Sequence, residues 1–269
     1  MALGVIDPNA APVPVLMYHA VGDLPVRAAD PHYTVAWADF GRHLALLRAR
    51  RLRPASLRSL LGGNQRQGSV ALTFDDGHES NAQAASWIGS QGGTADFFVN
   101  PSTVGSVGFL DWAGLREMAR YGQSIQSHGQ THRYLDELAD VEIWRELRDS
   151  KARIEDAVGE RVTVFAPPGG RMTAAVVRLA RQAGYEAICG SVAGLWRDPM
   201  RLWPIPRLAV TASIDERRFD RWICQDEVEL ARMRLRHAAL QAAKRLLGNR
   251  RYDRLRSVLM HAPQRTDVH

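Results

Sequence analysis

Two carboxylates stand side by side at Asp75 and Asp76, directly after the apolar run Val70–Phe74 and before Gly77. About fifty residues later, Ser127-His128-Gly129-Gln130-Thr131-His132 sets two imidazoles four positions apart. Imidazole nitrogens suit zinc at about 2.0–2.1 Å, and two histidines with one carboxylate make a three-ligand set that leaves a position open for water. The second carboxylate is then free to act as a base. Each motif also has a plainer reading: an acidic cap on a strand-to-helix turn for the Asp pair, two solvated loop histidines for the other. Neighbouring residues on an extended chain point to opposite sides, so both carboxylates reach one cavity only if the chain turns there.

Two further segments could contribute. Phe165-Ala166-Pro167-Pro168-Gly169-Gly170-Arg171 ends a strand-like run with two prolines and two glycines. Its fixed backbone could aim N–H groups at a developing oxyanion, or simply form a rigid loop. His19 closes the run Val13–His19. A histidine there can donate a proton or sit hydrogen-bonded in the core.

The elements that must position these residues alternate along the chain. Strand-like runs are Val13–His19, Ser69–Phe74, Thr94–Val99, Gln123–Ser127, Val162–Phe165 and Tyr185–Cys189. Helical spacing covers Trp37–Arg50, Asn81–Gln91, a helix capped by Asp111 and running through Tyr121, Asp140–Val158, and one capped by Thr173 and ending before Gly184. Repeated strand–helix units argue for a parallel sheet with helices outside it, where function collects at the C-terminal ends of strands. All four chemical motifs fall at such ends. From Val192 to Ile223 the pattern reads as irregular, with Pro199, Pro204 and Pro206.

Composition narrows the chemistry. Lysine occurs only at Lys151 and Lys244, which disfavours Schiff-base chemistry and a phosphate loop, since each needs a placed lysine. The two cysteines, Cys189 and Cys224, form no C-x-x-C pair, so neither a disulfide framework nor a thiolate metal site is expected. The formal charge is +6, and the segment Val228–His261 carries nine Arg or Lys against Glu229 and Asp253. That segment reads as a basic helix with an apolar stripe through Leu230, Met233, Leu240, Leu246 and Leu247. It packs on the barrel or lies on an anionic membrane surface; without an aromatic platform or a DNA-reading motif, nucleic acid is not expected. The first fourteen residues lack an apolar run of signal-peptide length, so the expected location is cytoplasmic, with membrane association through the tail; a trimmed leader would leave a secreted protein with the same appearance.

The pattern resembles the polysaccharide deacetylase family, also called the NodB-homology domain or carbohydrate esterase family four. The family's T-F-D-D-G stands as Thr73-Phe74-Asp75-Asp76-Gly77, and its S-H-x-x-x-H as Ser127-His128 with His132. The resemblance spans roughly Val13 to Val210. It implies an α/β fold, a distorted (β/α) barrel of about seven parallel strands over residues 1–225, followed by the basic helical extension 226–269. It also implies roles: Asp76, His128 and His132 hold a divalent metal, zinc foremost, with cobalt, manganese or nickel as alternatives. Asp75 is the base that activates water, and the backbone N–H of Gly169 faces the oxyanion. Pro168, Gly170 and Arg171 are expected to line the substrate position.

Three departures stand out. Where the family's third motif has R-x-P-[FY], Ala166 occupies the arginine position and Gly169 the aromatic one. Arg207 is the first candidate to replace the arginine that orients the base, and Arg171 the second. The glycines are expected to leave the aromatic's place open. The family's late catalytic histidine has only Leu259-Met260-His261 as a counterpart, within the basic tail. Val15-Leu16-Met17-Tyr18-His19, however, is similar to a branch that includes biofilm poly-N-acetylglucosamine deacetylases, and that likeness assigns the proton donor to His19. The expected activity is metal-dependent hydrolysis of an N-acetyl group on an amino sugar, in a polysaccharide, an oligosaccharide or a lipid-linked precursor. Alternatives are a deformylase or other C–N amide hydrolase of the same superfamily, and a non-catalytic carbohydrate-binding module.

Overall fold

The structure, a computed structural model, describes residues 11–23, 25–61, 66–198, 200 and 202–235. In chain order its strands and α-helices are β1 (Val13–Tyr18), β2 (Ala20–Val21), β3 (Thr34–Val35), α1 (Trp37–Ala49), β4 (Arg53–Ala55), α2 (Leu57–Leu61), β5 (Ser69–Phe74), α3 (Asn81–Ser90), β6 (Asp96–Val99), α4 (Trp112–Arg120), β7 (Ser124–Ser127), α5 (Asp140–Val158), β8 (Val164–Phe165), α6 (Ala174–Gln182), β9 (Ala187–Ile188), β10 (Leu195–Trp196), β11 (Leu208–Ala209) and α7 (Glu216–Ile223). The described residues up to Asp226 form one compact unit, and those from Glu227 belong to a second. The expected basic helix is helical over residues 227–235. The rest of it, with His261 and the contact expected with a membrane, lies outside the described residues. Among the described residues, no helix is long and apolar enough to cross a membrane.

The sheet runs in the order β10-β1-β5-β6-β7-β8-β9, with β4 added on β5 and β11 on β1. The pairs β1–β5, β5–β6, β6–β7, β7–β8 and β8–β9 are all parallel. One strand departs from the expected all-parallel set: β10 pairs antiparallel with the start of β1. Residues 205–209 link the two ends of the parallel series. Ile205 bridges Cys189 just beyond β9, and Leu208 and Ala209 pair with Leu16 and Met17 of β1. The result is a curled, mainly parallel sheet with helices on its outer face.

Alternation along the strands sets what lies inside. Val13 and Val15 of β1, Ala71 of β5, Phe98 of β6, Val164 and Ala166 at β8, and Ala187 and Cys189 at β9 share one buried apolar cluster with Ile205. Continuing each strand by twos from these residues leads to His19, Asp75, Asn100 and Pro168. Tyr18, Phe74 and Phe97 occupy the other face in register and stack at 5.2 Å and 4.8 Å. Phe40 of α1 meets Tyr18 and Phe74 edge-on. This aromatic ladder fixes the strand ends immediately before His19 and Asp75.

The region read as irregular holds three elements, β10, β11 and α7. Helix α7 is mostly charged, and its apolar residues Phe219, Trp222 and Ile223 recur only at helical spacing over a single turn. Its partner is distant in sequence: Arg50 at the end of α1 pairs with Asp220 at 2.8 Å and 2.6 Å. Such a short amphipathic face becomes visible only once α1 is beside it. The two elements β4 and α2 also had no expectation. Leu57 and Leu60 of α2 join the internal cluster.

Asp96 of β6 caps α2 from within the protein, accepting from the Leu57 N–H. Burial pushes its carboxyl up to about 6, against the bonds from Ser124, Leu57 and Arg58 that favour the charged form. Unfolded, it titrates near about 3.9. The native state therefore binds the extra proton between those values, and this contribution to stability is complete below the lower value and lost as pH rises through the upper one. Asp96→Asn should remove that dependence. Between pH 7 and pH 4, the stability of the wild type relative to Asp96→Asn should rise by about 2 kcal/mol, at about 1.4 kcal/mol per pKa unit with the last part of the gain still to come below pH 4. Urea unfolding of both proteins across that range checks it.

Candidate metal centre and active site

The chain turn that the two adjacent carboxylates require is present. Asp76 adopts φ +76° and Gly77 follows at φ +72°. This left-handed step breaks strand alternation, so Asp76 turns back toward the same cavity as Asp75. Aspartate tolerates that region better than most residues, at a cost of roughly 1–2 kcal/mol. Gly77 itself admits no side chain, since a Cβ there would lie 2.9 Å from Val99 Cγ1.

Asp76 Oδ1 lies 3.3 Å from His128 Nε2 and 3.2 Å from His132 Nε2. It is buried without a hydrogen-bond partner. The ligand atoms of these three residues all fall within 4.8 Å of one another. His128 Nδ1 bonds the Ala166 carbonyl at 2.7 Å. A carbonyl only accepts, so Nδ1 carries the proton and Nε2 presents its lone pair to Asp76 Oδ1. Burial disfavours charge on His128, yet Asp75 and Asp76 outweigh it and raise its pKa. The same field that would hold a proton here favours a cation. An orphaned carboxylate oxygen and a lone-pair imidazole, with a second imidazole beside them, fit a divalent metal.

His132 also needs a left-handed backbone, at φ +60°. The loop that carries it is pinned from two sides. Glu146 of α5, itself buried, accepts from the Gln130 N–H at 2.8 Å and the Thr131 N–H at 2.9 Å, and from the Thr131 hydroxyl. Asn100, one residue past β6, donates to the carbonyls of His128 at 2.6 Å and Gly129 at 3.1 Å. Sequence reading missed both. Helical spacing places Glu146 one residue from the apolar face of α5, and only a buried carboxylate in the fold reveals what it holds. His78 was also missed: it is buried, and its Nε2 lies 3.6 Å from Asp76 Oδ2.

Asp75 is held by Arg207, whose Nη1 and Nη2 donate to Asp75 Oδ1 and Oδ2 at 2.7 Å and 2.8 Å. Both side chains are almost fully buried. Arg207 Nε donates to the Gly190 carbonyl at 2.9 Å, and Nη1 also reaches Thr73 Oγ1 at 3.3 Å. Burial alone would raise the Asp75 pKa, but the guanidinium and His128 outweigh it and hold the carboxyl below its usual range. Arg171, the second candidate for this position, is placed elsewhere. It pairs with Glu137 at 2.8 Å and Asp136 at 3.8 Å and lies over the Tyr134 ring.

His19 follows β1, which is in register with β5 through Tyr18 and Phe74. Asn81 donates to its carbonyl at 2.8 Å, and its ring packs on Tyr33 at 4.5 Å between centroids. Its Nδ1 is buried without a partner. Burial lowers its pKa, and Asp75 and Asp76 only partly restore it. Pro168 is buried beside Gly129. The two glycines of the third motif do not leave an opening. A Cβ on Gly169 would lie 2.9 Å from Tyr134 Cε1, and one on Gly170 would lie 2.2 Å from Ser191 Oγ. Tyr134 and Ser191 fill the space that the missing side chains vacate.

Residues 62–188 match the family model for polysaccharide deacetylase. The Bacillus subtilis protein YxkH, assigned as a polysaccharide deacetylase, is 25% identical over 219 residues, covering 79% of this chain and 76% of that protein. The peptidoglycan-N-acetylglucosamine deacetylase of Bacillus cereus is 28% identical over 139 residues, 51% of this chain and 61% of that protein. Among solved structures, the Streptococcus pyogenes deacetylase PplD in complex with acetate superposes with a TM-score of 0.73 at 21% identity, over 80% of this chain and 99% of that one. BC0361, a polysaccharide deacetylase from Bacillus cereus, gives a TM-score of 0.71 at 24% identity over 79% of this chain and 69% of that one. At this level of identity the likeness is one of fold.

If Glu146 sets the loop that carries His132, Glu146→Gln should weaken Zn²⁺ or Co²⁺ affinity by about tenfold or more. Competition with a chromogenic chelator measures it, while circular dichroism of the metal-free protein stays unchanged. Unaltered affinity would remove Glu146 from this role.

Proposed function

We infer, since this chain belongs to the polysaccharide deacetylase family, that it hydrolyses the N-acetyl group of an amino sugar at a centre where Asp76, His128 and His132 hold a divalent cation. The observation that carries this reading is the buried Asp76 Oδ1, unbonded and within 3.3 Å of two imidazole nitrogens. A divalent cation there would supply Lewis acidity, making water more acidic and an amide carbonyl more electrophilic.

The chain's own residues account for the remaining chemistry. Asp75 takes a proton from the attacking water, and Arg207 keeps it ionised for that task while both stay buried. The bidentate pair also fixes the plane of the carboxylate, so its remaining lone pairs point in set directions. Water oxygen bonds to the acetamide carbon as charge builds on the carbonyl oxygen, where the Gly169 N–H donates. His19 then protonates the amine nitrogen as the C–N bond breaks, leaving acetate and a free amino sugar. Because burial lowers its pKa, His19 rests neutral near pH 7, and the proton it delivers is the one that Asp75 took from the attacking water, passed on before the C–N bond breaks.

Acetate release from N-acetylglucosamine oligomers tests this function. Activity should disappear with chelation and return with Zn²⁺ or Co²⁺. Asp75→Asn should lower kcat by about 10²-fold or more while leaving metal affinity nearly intact. Activity that survives complete metal removal, or persists in Asp75→Asn, would overturn the reading.

A further inference from the structure

Tyr134 stands where two loops of the site meet, and neither the metal centre nor the water-activating pair uses it. It lies two residues after His132 and immediately before the short turn Leu135–Glu137, in which Leu135 is fully buried. The backbone is therefore anchored on both sides of the ring. Tyr134 is 41% exposed, one of only two aromatic residues among the large exposed apolar residues described. Tyr121, the other, directly follows α4 at the opposite end of the strand–helix units from the metal centre.

Three features keep the Tyr134 ring in place. Gly169 offers no side chain, and the ring edge takes that space, with Cε1 2.9 Å from where a Cβ would be. The Arg171 guanidinium lies 3.8 Å from the ring centroid. Arg171 is in turn held by Glu137 at 2.8 Å and Asp136 at 3.8 Å. An aromatic side chain held this way loses little freedom on binding a ligand, and that favours affinity. The ring face that Arg171 does not cover carries negative quadrupole charge and an apolar surface, which match the C–H face of a pyranose ring. A planar acid or an extended peptide has no such face.

We propose that Tyr134 is a stacking platform for a sugar ring of the substrate, supplied from the loop after His132 in place of an aromatic at position 169. This rests on the deacetylase reading and adds a substrate contact to it. Tyr134 acts on binding, so its removal should affect KM more than kcat.

The test uses the metal-loaded protein with two substrates: an N-acetylglucosamine oligomer, and ethyl acetate, which has neither a sugar nor any other ring. Tyr134→Ala should raise KM for the oligomer by roughly tenfold. Its hydrolysis of the ester should stay within about twofold of wild type, since that substrate carries no ring to stack. Tyr134→Phe should restore the wild-type KM for the oligomer. An unchanged KM in Tyr134→Ala overturns the proposal. So does an equal loss on both substrates, which would make Tyr134 a structural residue, and so does a Tyr134→Phe as impaired as Tyr134→Ala. If the wild type cleaves the ester but releases no acetate from any N-acetylated sugar, the deacetylase reading itself fails and the platform falls with it.

Discussion

The buried carboxylate of Asp75 stays charged, and the whole architecture turns on how that is achieved. Desolvation opposes ionisation of Asp75, and an isolated carboxylate there would take up a proton. Arg207 answers with two short parallel bonds, while Gly190 and Thr73 occupy further guanidinium donors. A buried ion pair stabilises only when such additional bonds compensate for lost hydration. Arg207 sits on the segment 205–209, which bridges Cys189 and pairs with β1. Closing the sheet and keeping Asp75 charged are therefore accomplished by the same few residues.

Around that pair, strand geometry does most of the placing. Parallel strands in register bring their C-terminal ends to one level, and period-two alternation aims every second residue inward. His19 and Asp75 simply continue the apolar interior rows of β1 and β5. Asp76 and His132 do not fit that rule, and each enters by a left-handed backbone step. The candidate ligand set thus combines one residue on a regular strand end with two on strained turns. The strain is tolerated because hydrogen bonds determine the loops from outside: Glu146 and Asn100 for the histidine loop, and the packed Gly77 for the aspartate turn. This arrangement holds the three candidate ligands close together, which would lower the ordering cost of binding a cation.

The altered third motif shows how a fold can keep a site while exchanging its parts. Ala166 contributes its carbonyl to orient His128, a task any residue's backbone can perform. The arginine is drawn from a segment about forty residues further on, and the space at Gly169 is taken by Tyr134 from a preceding loop. Neither exchange alters Asp76, His128 or His132. Position in space, rather than position in a motif, is what each role requires.

Much of this was legible in the sequence by itself. The apolar runs ending in acids or histidines marked the strands and their functional ends. The helix Asp140–Val158 could be read residue for residue, because nineteen residues sustain a clear 3.6 period. The Asp and His spacings marked Asp76, His128 and His132, whose ligand atoms the fold brings within 4.8 Å of one another. Only the tertiary structure chose Arg207 over Arg171, since both are arginines near proline-rich loops and nothing local tells which one reaches a carboxylate more than a hundred positions away. It also decided that the glycines of the third motif are filled rather than open, that Glu146 braces a loop, and that α7 exists. Each of these depends on contacts between residues far apart in the chain, where local periodicity and propensity carry no information.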